Sequence, residues 1–246
     1  MSDPGATAAR SAGQRYLEGS AALVTRLLDE AWPAIDAGAT LIADALAEGG
    51  TLHAFGSGHS HLLAEELYHR AGGLMRMRPV LFDGITLHGG AELATQLERL
   101  PGVAAAILAE HPLAPGDACI IASNSGGNAV ITEFARLARE AGARTIGITS
   151  IRHATSPSAR STGSQKLHEL VDVAIDNLGI PGDAAIAIPG MAGRVGPTST
   201  VAGAAIVNAL VAEAIERLVA RGITPPVFIS SNLAGGDEAN AQGAAR

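Results

Sequence analysis

Five short apolar runs recur along the chain, at residues 52–55, 79–82, 118–122, 145–149 and 171–175, and segments of helical periodicity separate them. Runs of strand length that are apolar at nearly every position belong to strands buried on both faces. A parallel connection needs a crossover long enough to hold a helix, so strands alternating with helices imply a parallel sheet covered by helices. The helical segments are 60–71, 91–110, 129–141 and 199–220. Two more precede them. In 14–30 the stripe is Leu17, Ala21, Val24, Leu27 and Leu28; in 33–48 it is Ile35, Ala39, Ile42 and Leu46. Pro33 punctuates the pair and Gly49-Gly50 ends it, which predicts a helical cover or a dimer-forming N-terminal hairpin rather than a separate domain. The expected organisation is a helical extension over 1–34, an α/β domain over 35–222 and a C-terminal tail over 223–246 that is loose after Ser230, with residues 1–12 frayed.

Composition narrows the class. With 47% hydrophobic and 17% charged residues in 246, the chain buries a real core; with 3% aromatics, Ala, Leu, Val and Ile must build it. A net charge of −7 argues against a nucleic-acid partner. No apolar stretch approaches the roughly 18 residues of a membrane span, and the N-terminus lacks the apolar core of a secretory signal. A cytoplasmic protein is expected. Cys119, the only cysteine, lies in the run 118–122 and reads as a small buried residue, without disulfide or cysteine-rich zinc module. Residues 152–168, rich in Ser, Thr and Arg, form a long loop of the kind that often carries function.

Two strands end in Ser/Gly turns that open helices: Gly56-Ser57-Gly58-His59-Ser60 and Ser123-Asn124-Ser125-Gly126-Gly127-Asn128. Glycine lets the backbone approach a ligand, and a helix start offers free N–H groups and a positive dipole end. With hydroxyl and amide donors added, such a surface suits a phosphate ester. In a sheet of flavodoxin-like order the two loops meet at the switch point. The plainer reading is a pair of strand–helix turns with Ser and Asn as N-caps. The first turn lacks the G-K-[ST] of a nucleotide P-loop, and nucleotide binding is disfavoured.

These two stretches, followed by Gly196-Pro197-Thr198-Ser199-Thr200 at the head of a long helix, resemble the three signature stretches of the sugar isomerase (SIS) domain over about residues 35–222. Arg70-Ala71-Gly72-Gly73, residues 173–177 and Gly182-Asp183 are most similar to an uncharacterised bacterial branch of that family. The resemblance implies a five-stranded parallel sheet, sites built between subunits of a homo-oligomer (dimer or tetramer), and phosphosugar binding. The binding residues it implies are Ser57, Gly58, Ser60, Ser123, Asn124, Ser125, Gly126, Gly127, Asn128, Thr198 and Ser199.

Chemistry on a sugar needs a base beside the carbonyl. Etherase and heptose-phosphate isomerase members carry a Glu ten residues after the last Ser of the first loop, where this chain has Arg70. Glu66, four residues earlier, is the substitute base, or else one half of a surface ion pair with Arg70. His59 stands where arabinose 5-phosphate isomerase members carry Lys; it contacts phosphate or moves protons, or simply faces solvent. Glu98 lies near the etherase's second acid, or on a solvated helix face. His61, Glu65 and His69 share an i, i+4, i+8 stripe, but its ends lie about 12 Å apart, too far for one ion. Neither a metal nor a cofactor is expected.

The expected function is phosphosugar binding with aldose–ketose isomerisation. The alternatives are a non-catalytic phosphosugar sensor and an amino-sugar-phosphate lyase or etherase. The roughly 35 residues ahead of the domain are too few for the helix-turn-helix of the family's regulators, which favours an enzyme.

Overall fold

The computed structural model describes residues 10–244, so most of the segment expected to fray lies outside the described residues. Helices α1 (Ala12–Arg26) and α2 (Trp32–Ala47) come first. Then β1 (Leu52–Gly56), a 3-10 turn (Gly58–His61) and α3 (Leu62–Leu67) lead to β2 (Met77–Val80). Next are α4 (Ala91–Leu97), α5 (Val103–Glu110), β3 (Ala118–Ala122), α6 (Ala129–Glu140) and β4 (Arg144–Thr149). Two short helices, α7 (Ile151–Ala154) and α8 (Leu167–Leu170), flank the long loop before β5 (Val173–Asp176). A hairpin of β6 (Ala184–Ala187) and β7 (Arg194–Pro197), then α9 (Ser199–Ala220) and α10 (Gly236–Ala244), complete the order.

The five main strands form one parallel sheet in the order β2-β1-β3-β4-β5, as expected. Strand alternation sorts the core into two layers. Leu52, Ala54, Ala118, Ile120, Ile146, Ile148 and Ile175 meet α2, α3 and α9 on one face. Phe55, Cys119 and Ile121 meet α5, α6 and α8 on the other, with Phe55 stacked on Phe134 at 3.8 Å. Cys119 is fully buried, and burial pushes its thiol pKa far up.

Three expectations are corrected. The N-terminal helices do not fold back as a hairpin: α1 runs through a π-helical turn, Leu27–Ala31, into α2, with Pro33 in the first turn of α2. Proline has no N–H to lose there, so it starts a helix without reversing the chain. The helix after the first loop stops at Leu67, because Tyr68 is extended and His69 takes φ +45°. The tail after Ser230 is not loose: it carries α10, and Asn240 exchanges hydrogen bonds with the Ile229 backbone at 2.8 and 2.9 Å. Just before it, Leu74 bridges Val227, Met75 N–H donates to the Pro226 carbonyl at 3.0 Å, and Gly72 N–H donates to the Phe228 carbonyl at 2.8 Å. The β6–β7 hairpin was not foreseen; its apolar content is too short and interrupted to read as strand.

Candidate functional site

Strands β1 and β3 are neighbours from which the chain departs in opposite directions, so the loops after them open the crevice at the carboxyl edge of the sheet. Gly56 makes the first turn sterically: a Cβ there would lie 2.5 Å from the Ser60 carbonyl oxygen. Among the described residues, the hydroxyls of Ser60 and Ser125 have no protein hydrogen-bond partner. Ser123 Oγ accepts from Gly126 N–H at 3.1 Å and holds the second loop closed. Asn124 Oδ1 accepts from buried Asn177 at 3.0 Å, tying that loop to the end of β5.

His59, Ser60, Ser123, Asn124, Asn177, Ser199 and Thr200 line one narrow crevice of about 20 Å³. Elements far apart in sequence thus converge as the switch-point argument requires. Ser199 lines it and Thr198 lies just outside it, both already engaged. Their N–H groups donate to Asp183 Oδ1 at 3.0 and 2.9 Å, and Ser199 Oγ donates to Oδ2 at 2.6 Å.

Glu98 follows α4 and is half-buried. Ser57 Oγ donates to its Oε2 at 2.9 Å. Burial raises the Glu98 pKa, and the hydrogen bond from Ser57 with the nearby charge of Arg99 only partly offsets that. The carboxylate is therefore bonded to the first serine loop through Ser57, while Val130 N–H at the start of α6 donates to the Glu98 backbone carbonyl at 3.1 Å, and Glu98 is not on a solvated face. Glu66 lies elsewhere. Arg70 and Asn208 of α9 both hold its Oε1, Asn208 at 2.8 Å, and it lines a separate 290 Å³ cavity with Arg70, Gly72 and Gly73.

The long loop packs onto the second serine loop. Thr162 N–H donates to Gly127 O at 3.0 Å, and Lys166 Nζ donates to Arg160 O at 2.9 Å. A Cβ on Gly127 would meet Lys166 Nζ at 2.7 Å, so the lone lysine of the chain rests on the glycine pair. Its singularity and its place in a basic Ser/Thr loop were the signals available in the sequence. His153, whose Nδ1 accepts from Gly182 N–H at 2.9 Å, has its pKa lowered by burial and by Lys166, against the pull of Asp183.

The profile of the SIS domain matches residues 15–150, more than half of the chain. The chain belongs to the SIS-domain family. A UPF0309 protein of Listeria innocua is 39% identical over 225 residues, 92% of this chain and 91% of the relative. One from Streptomyces griseus is 39% identical over 236 residues, covering 93% and 92%. Among solved structures, this SIS domain is similar to a Bacteroides fragilis protein provisionally named a phosphosugar isomerase involved in capsule formation. That match has TM-score 0.54 and 21% identity, over 84% of this chain and 89% of the other. A Listeria monocytogenes protein provisionally named a sugar-phosphate isomerase aligns at TM-score 0.51 and 15% identity, over 87% and 90%. Identities this low establish the shared fold alone. No helix among the described residues is long and apolar enough to cross a membrane.

Proposed function

We propose that the protein binds a phosphorylated sugar or amino sugar between its two serine loops and isomerises it by enediol-type proton transfer. The convergence of Ser60, Ser123, Asn124 and Ser199 on one crevice at the switch point carries this reading. The phosphate is held by Ser60, Ser123 and Ser125 with loop N–H groups, and Lys166 adds charge from the long loop. Glu98 takes the proton from the carbon beside the carbonyl as the carbonyl oxygen gains one, giving the enediol. It then returns its proton to the former carbonyl carbon while the neighbouring hydroxyl loses its own. Its raised pKa suits a group that must both accept and release a proton near neutrality. Glu66, bound by Arg70 and Asn208, borders a different cavity and takes no part in that step. His59 contacts the phosphate end. The crevice of about 20 Å³ has room for little more than a water, which supports a site completed by a second copy in a homo-oligomer.

The test pairs thermal shift across a panel of aldose and ketose phosphates with turnover of whichever member binds. Glu98→Gln is expected to cut turnover by about 10²–10⁴ and leave binding nearly intact. Binding by the wild type with no turnover of any panel member selects the sensor reading. That reading has support of its own, in Arg70 occupying the place of the acid in related enzymes. No binding to any member rejects the proposal.

A further inference from the structure

We propose that His61, Glu65 and His88 form a binding site for a divalent transition metal of the zinc type. One ligand atom from each lies within 4.8 Å of the others, and His61 Nε2 is 3.6 Å from Glu65 Oε1. His61 is 1% exposed, at the end of the turn that follows the first serine loop. Its Nδ1 donates to the Gly58 carbonyl, so the neutral ring carries its lone pair on Nε2. That nitrogen is buried and has no hydrogen-bond partner. In the neutral ring this leaves a desolvated lone pair 3.6 Å from the Glu65 carboxylate, another acceptor, which is unfavourable on both counts. A cation between the two groups removes both costs.

The donor set identifies the class of ion. Two imidazoles and one carboxylate suit zinc and its neighbours and leave a further position open, whereas calcium and magnesium require more oxygen ligands. Zinc bonds of about 2.0–2.1 Å in tetrahedral geometry put ligand atoms about 3.4 Å apart. The His61–Glu65 spacing already fits. Glu65 and His88 are both exposed, so rotation of their side chains can close the remaining gap of about 1.4 Å. Gly58, which orients His61, also donates its N–H to the Ile85 carbonyl at 2.8 Å, so the turn carrying the buried ligand is tied to the loop carrying His88. The stripe visible in the sequence is too long for one ion, and the fold brings in His88 instead of its third member. His69 lies beyond the end of α3 and packs on Phe228, with ring centroids 4.6 Å apart. This inference does not depend on the phosphosugar reading.

The experiment uses the full chain stripped with a chelator. Zn²⁺ alone is titrated by calorimetry, and Co²⁺ alone by visible absorbance. The expected result is one equivalent per chain, a raised Tm and a low-symmetry cobalt spectrum. Glu65→Ala and His88→Ala change exposed side chains, so both fold, and each is expected to weaken zinc by at least about the 100-fold at the top of the range for a lost supporting contact. His69→Ala is expected to leave zinc affinity unchanged. No uptake at millimolar Zn²⁺, or an affinity that either Glu65→Ala or His88→Ala leaves unchanged, overturns the site.

Discussion

At the residue scale, hydroxyls of similar appearance in the sequence have different tasks. Ser57 donates to Glu98 and Ser123 accepts from Gly126, while Ser125 has no partner among the described residues. Ser125→Ala therefore removes only a ligand contact. It is expected to weaken a bound phosphosugar by about 1–3 kcal/mol, read by calorimetry, without lowering Tm. The buried pair of His53 and Asp117, 3.1 Å apart at the start of the sheet, governs stability instead. Burial holds the His53 pKa down despite Asp117. Burial works to raise Asp117, but N–H donors from Ala114 and Thr51, with His53, outweigh it and hold the carboxyl low. Both groups bind protons more readily unfolded than folded. Acidification thus favours the unfolded chain, first below the ordinary histidine value of about 6.5 and then below that of aspartate near 3.9. Urea midpoints are expected to hold near pH 7.5 and fall as the pH drops from about 6.5 to 5, and a flat profile would remove this pair from the account.

At the element scale, the 3-10 turn after β1 is the tightest part of the site. Gly56→Ala forces a methyl group against the Ser60 carbonyl and is expected to cost about 1–3 kcal/mol in stability. Loss of phosphosugar binding is expected with it, checked by urea denaturation and thermal shift. The segment after α9 behaves as a structural element too. Val227 and Phe228 pair with the 72–74 backbone, and a cavity of about 450 Å³ lies between that pairing and α10. A chain ending at Gly222 is expected to melt earlier than the full chain, since fully buried Leu74 loses its cover. An unchanged Tm would make the tail dispensable.

At the scale of the whole molecule, apolar surface remains uncovered. Leu17 and Leu28 are 69% and 65% exposed, and Val24, Leu28, Trp32 and Ala209 line an apolar groove of about 220 Å³ where α1 and α2 meet α9. Exposed leucines beside a groove of this kind fit contact with a second copy. Light scattering at micromolar concentration is expected to give at least a dimer, and Leu28→Glu to shift it toward monomer. A wild-type monomer would exclude the oligomer and, with it, a site completed between subunits.

The sheet was legible because its strands are apolar at nearly every position, a pattern that only two-sided burial requires. The serine loops were legible because glycine and serine at strand ends are local requirements of turn and helix start. Local chemistry of this kind is written in neighbouring residues. The path of the N-terminal helices depended on whether a proline fell at a helix start or in a reversing turn, and position 33 alone does not distinguish the two. Only tertiary packing placed Glu98 on Ser57, turned Glu66 toward Asn208, laid Lys166 on Gly127 and set His88 in place of His69 beside His61. Each of these contacts joins segments whose separation along the chain carries no information about their distance in space. The sequence therefore determined the frame and its anion-binding edge, and the fold decided which acids and bases face one another there.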